Sequence, residues 1–187
     1  FEQCARYFKH SVDNVSRSAH FDAGEFKEAF QPLNILLTKA GEEFETTVCD
    51  ELAADSRQLV DCDRPDEDRF VDDHGPLLDA VGTAQEAAPG SDSPTILYQA
   101  SLKGTIGDWA VAGDADLILI WSTDEGVTVR IIDVKRAQEE KSYHQIQAAT
   151  YVDLVRGLLD DTDAFDVDDI TCEGGIITPG DTLTPPT

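Results

Sequence analysis

The sequence predicts an α/β domain with a mixed central β-sheet flanked by helices, on three observations. Ala115 to Trp121 and Val127 to Lys135 are two runs rich in apolar and β-branched residues, and the polar residues and glycine of the Ser122 to Gly126 segment between them suit a hairpin turn. Glu139 to Leu159 then places Tyr143, Gln147, Tyr151, Leu154 and Leu158 at three- and four-residue steps, the period of a helix with one shared face. After an acidic connector at 160–169, Ile170 to Thr178 reads as one more strand.

The remaining elements follow in order. Residues 1 to about 37 read as helical or mixed. Residues 53–95, rich in Asp, Pro and Gly, read as an acidic, partly irregular insertion; His74 lies in a turn there and takes no assigned function. The sheet is expected from about Thr95 to Val134, and residues 179–187 are loop-like. The length suits one domain over 1–187. No methionine occurs, even at position 1, which points to a trimmed product or part of a longer protein. No run of 18 apolar residues and no signal peptide is visible, so the expectation is a cytoplasmic protein without membrane partners.

Successive strand side chains point to opposite faces, so Asp133 and Lys135 point the same way. Asp116 opens the preceding strand and falls near Asp133 if the two strands pair antiparallel. Two converging carboxylates repel each other unless they hold a hard divalent cation. Mg²⁺ or Mn²⁺ bound by Asp116 and Asp133 would suit phosphodiester hydrolysis, with Lys135 orienting the attacking water or offsetting developing charge. The backbone carbonyl of Val134 is a further candidate ligand.

Asp116, Asp133-Val-Lys135 and Gln147-Ala-Ala-Thr-Tyr151 together resemble the PD-(D/E)XK nuclease superfamily, in its RecB-like branch that includes CRISPR-associated exonucleases. The resemblance runs from about Tyr98 to Leu159, and the combination is more specific than an isolated Asp-x-Lys. It implies a restriction-endonuclease-like core, a DNA substrate, and partner subunits or domains in a repair or CRISPR complex. It further implies an acidic or histidine residue on an early helix, which Ala40 to Leu52 resembles; Glu45 is chosen there, and Glu42 and Glu43 compete. Gln147 and Tyr151 would position the substrate strand or the lysine. Cys4-Ala-Arg6 is similar to the N-terminal cysteine segment of those exonucleases, whose iron–sulfur cluster takes three more cysteines near the C-terminus. Here only Cys172 lies late, Cys49 and Cys62 are elsewhere, and no C-x-x-C occurs, so free thiols are expected and a cluster is disfavoured.

Charge sets the surroundings. Against 38 Asp and Glu stand 14 Lys and Arg, a net charge of −24 spread along the chain, as in proteins adapted to molar intracellular salt. Arg130, Lys135, Arg136 and Lys141 nevertheless put four of the 14 basic residues within twelve positions. Arg130, Arg136, Lys141 and His144 are therefore the candidate nucleic-acid contacts. A non-catalytic nucleic-acid-binding or scaffolding domain is the alternative, and an enzyme acting on RNA a weaker one. Against the first, a site freed from catalysis has no physical reason to keep buried carboxylates paired.

Overall fold

A computed structural model describes residues 35–54, 58–62, 74–89, 94–135, 142–162, 164–179 and 181. The chain divides into two compact units, Phe1–Glu43 and Phe44–Thr187. Helix α1, Ile35–Ala54, begins in the first and continues into the second, which contains the whole sheet.

Strands β1 (Gln58–Asp61), β2 (Thr95–Ile106), β3 (Trp109–Thr123), β4 (Gly126–Val134) and β5 (Ile170–Ile177) form one sheet in that order. The three central strands pair antiparallel, and β1–β2 and β4–β5 pair parallel, so the sheet is mixed. Alternation of Ile118, Ile120, Val129 and Ile131 with Leu117, Leu119 and Ile132 lets both faces bury apolar side chains. The β3–β4 hairpin turns on Asp124-Glu125, where the Thr123 hydroxyl donates to the Gly126 carbonyl at 3.0 Å. Gly126 has φ 122°, and a Cβ there would strike the Asp169 carbonyl oxygen, so glycine is required.

Helix α1 covers one face. Val48, Cys49 and Leu52 pack with Ile96, Leu117, Leu119, Ile132, Val134 and Ile177. Each fully buried Leu or Ile contributes on the order of 1.5–3 kcal/mol. Alternation along β4 then places Val129, Ile131 and Asp133 on the opposite face. Helices α2 (Gly75–Glu86) and α3 (Ser142–Asp160) contact the sheet with residues outside the α1 cluster. Among the described residues no helix is long and apolar enough to cross a membrane.

Strand β1 and helix α2 both fall inside the 53–95 stretch expected to be partly irregular. Gly75-Pro76 resembles a turn in sequence, but proline is well suited to a first helical turn because it lacks only an N–H that has no intrahelical partner there. Leu77, Ala80, Val81 and Ala84 then form the buried stripe. Helix α3 is described over Ser142–Asp160, and the expected start at Glu139 lies outside the described residues, as do residues 136–141 as a whole.

Candidate active site

The β3–β4 register sets the first two acids. Leu117 pairs with Ile132, and one further step of the antiparallel register puts Asp116 opposite Asp133. The Val134 N–H donates to Asp116 Oδ2 at 2.7 Å, so this carboxylate closes the end of the ladder. The Val134 carbonyl lies on the same side of its strand as that N–H and so faces β3.

Lys135 follows the last residue of β4 and is anchored by its N–H to the Ile177 carbonyl at 2.8 Å. Its Nζ lies 2.7 Å from Asp133 Oδ1 and 3.6 Å from Asp116 Oδ2. The two oxygens are therefore no farther apart than those distances laid end to end. Asp133 is 1% exposed, and neither of its oxygens has a partner in hydrogen-bond geometry; the lysine contact is an ion pair by distance. Burial pushes the Asp133 carboxyl up to about 6, with Lys135 opposing and Asp116 adding to the rise. Burial pulls the Lys135 ammonium down, but the two carboxylates outweigh it and hold it above its usual range.

Glu45 of α1 joins this field. Burial and the charge of Asp116 raise its carboxyl, while hydrogen bonds from Gln99 and Tyr98 and the charge of Lys135 pull it down. Sequence reasoning missed Gln99. It has φ 52°, the one positive φ among the described non-glycine residues. The β2–β3 ladder pairs Tyr98 with Leu117 and Ala100 with Ala115, and omits Gln99 and Asp116 between them. A non-glycine residue held in that region costs about 1–3 kcal/mol. Nothing in a glutamine within a strand-like run signals such a conformation.

From α3, Gln147 Nε2 donates to the Tyr151 hydroxyl at 3.5 Å, one helical turn away. Burial first, then the charges of Asp116, Asp133 and Asp114, push the Tyr151 phenol up to about 12. The ring reaches this position because β3 offers a glycine: a Cβ on Gly113 would lie 2.5 Å from the hydroxyl.

The nucleic-acid contacts expected from sequence fare differently. Arg130 is on the opposite face of β4 from Asp133, by parity, where it pairs with Glu173 at 2.5 Å and stacks 5.2 Å from the Trp121 ring centroid. It does not join the site. His144 is 2% exposed, so its imidazole faces the interior and not a solvent-borne strand. The helical period that brings Gln147 and Tyr151 inward brings this residue in as well. Arg136 and Lys141 lie outside the described residues, as does Cys4. Among the described residues Cys49, Cys62 and Cys172 form no disulfide, and Cys49 lies in the α1 core, pushed up by burial to about 12.

Among the described residues no three His, Cys, Asp or Glu side chains form a ready-made coordination shell. The donor chemistry nevertheless fits a hard cation: Asp116, Asp133, Glu45 and the Val134 carbonyl offer only oxygen, and the buried Asp133 oxygens have unused lone pairs. Comparison with family models, curated proteins and solved structures finds no match.

Proposed function

We propose that this chain is a divalent-metal-dependent nuclease that hydrolyses DNA phosphodiester bonds, built on the RecB-like plan of the PD-(D/E)XK superfamily with its restriction-endonuclease-like core. The observation that carries the proposal is the meeting of Asp116, Asp133 and Lys135 at one strand end, with an otherwise unpartnered buried carboxylate among them. Glu45, Asp116, Asp133 and the Val134 carbonyl would hold Mg²⁺ or Mn²⁺. The ion would supply positive charge for a phosphoryl oxygen and a more acidic water.

The chain's own groups have separable tasks. Lys135, kept protonated by the two acids, presents donor hydrogens where a water or phosphate oxygen approaches both carboxylates. Asp133 sits in a nearly water-free position where burial disfavours an uncompensated negative charge, so a bound cation would take the place of the proton that burial otherwise favours. Tyr151 stays a neutral phenol and with the Gln147 amide offers uncharged hydrogen-bond donors, useful where the surface is so acidic. Binding then leans on metal bridging and direct contact, because counterion release contributes little in molar salt.

The deciding assay is degradation of labelled single- and double-stranded DNA, with an RNA control, by wild type and Lys135→Ala in molar KCl with Mg²⁺ or Mn²⁺. Cleavage lost in the variant supports the proposal. Absence of cleavage by wild type across all substrates rejects it in favour of a non-catalytic binding domain.

A further inference from the structure

We infer that Gln99 is a positioning residue for the metal centre: its left-handed backbone brings its amide onto Glu45 and holds that carboxylate toward the Asp116–Asp133 pair. The inference rests on the metal-dependent reading above.

Two separate features meet at this residue. Its φ of 52° breaks the strand pattern beside Asp116, yet the β2–β3 register is the same on either side, so no residue has been inserted to cause the break. A bulge would shift the register; this is a local rotation of one residue. The rotated side chain then donates through Nε2 to Glu45 Oε1, across 54 positions of sequence. Glycine would adopt this backbone without strain, so the glutamine side chain is what distinguishes the position. Its chemistry suits the task. A neutral amide orients a carboxylate without supplying a charge that would compete with a cation, as a lysine or arginine would. Glu45 belongs to a helix segment carrying Glu42 and Glu43 as well, and it is Glu45 that takes the contacts of Gln99 and Tyr98.

The test is Mn²⁺ binding by electron paramagnetic resonance in molar KCl, with melting curves and cleavage kinetics alongside. Gln99→Gly keeps the backbone conformation accessible and removes the amide. Expected is a melting temperature close to wild type, since relief of strain offsets the extra backbone freedom of glycine. Mn²⁺ affinity should fall about 10- to 100-fold, the range for loss of a group that orients a metal ligand. The Mn²⁺ concentration for half-maximal cleavage should rise in step, with the rate at saturating Mn²⁺ retained. Gln99→Asn, which also tolerates a left-handed backbone but reaches one carbon less, should weaken Mn²⁺ binding too. Added to Glu45→Gln, Gln99→Gly should cause no further loss, because the two act through one carboxylate. Wild-type Mn²⁺ affinity in Gln99→Gly, or additivity in the double variant, overturns the inference while leaving the nuclease reading intact. Wild-type protein that neither binds Mn²⁺ nor cleaves DNA overturns both.

Discussion

Asp116 Oδ2 accepts the Val134 N–H at 2.7 Å, so a side chain from β3 completes a hydrogen bond that the β3–β4 ladder no longer supplies. This carboxylate is thus structural as well as part of the proposed metal centre, and substitutions can separate the two tasks.

Asp116→Asn keeps an oxygen acceptor for that N–H, whereas Asp116→Ala leaves the N–H unsatisfied. An unpaired part-buried group costs about 1–3 kcal/mol. Denaturant titration should find the alanine variant destabilised on that order and the asparagine variant near wild type, with DNA cleavage abolished in both. Equal stability of the two would show that the hydrogen bond contributes nothing.

Asp133→Asn should stabilise the metal-free protein at neutral pH. The folded carboxyl sits at about 6 against an ordinary 3.8, so the native state binds the extra proton and wild-type stability falls as pH rises from about 4 through about 6. The advantage of the variant should be near zero below that window and on the order of 3 kcal/mol above it. That figure is an upper limit, because Lys135 loses a partner at the same time. Paired urea titrations from pH 3.5 to 8 (roughly the span that brackets the shift) measure the difference directly, and cleavage by the variant should be absent.

Gly113→Ala places a methyl group 2.5 Å from the Tyr151 hydroxyl and 2.8 Å from Cε1. Overpacking of this kind costs about 1–3 kcal/mol. Adding Tyr151→Phe should recover only part of the loss, since the ring carbon remains in the way. Full recovery in the double variant would place the conflict on the hydroxyl alone.

Salt should act on the whole molecule. With a net charge of −24, repulsion among surface acids is screened as the Debye length shrinks from about 10 Å at 0.1 M to about 3 Å at 1 M. Melting temperature should climb steeply across a KCl series. A flat profile would assign the acids to a basic partner instead of to life in salt.

The β3–β4 hairpin and the acid pair were legible in the sequence because both follow from parity, whereas strand β1 was hidden in the acidic stretch. Asp116, Asp133 and Lys135 need only two antiparallel strands and a tight turn to meet, and Gln147 with Tyr151 needs only a helical step. Arg130 stands apart from the acid pair because three positions from Asp133 is the opposite face of a strand. His144 shows the reverse limit, since a polar residue at the start of an amphipathic helix gives no sign of being buried. Gln99 was illegible because its backbone runs against local preference, held by a tertiary contact to Glu45. Helix α2 hid behind a Gly-Pro pair that serves a turn and a helix start equally well.

Gly126 extends the reach of the site. A slip of one residue at this turn would invert every side chain of β4, sending Asp133 and Lys135 under helix α1 and Ile132 and Val134 to the other side. The close fit of Gly126 against the Asp169 carbonyl guards against that inversion. The turn stands seven residues from Asp133, about 23 Å along an extended strand. A bulky substitution there would therefore disrupt the candidate site from the far end of the hairpin, and it should abolish the proposed cleavage without touching Asp116, Asp133 or Lys135.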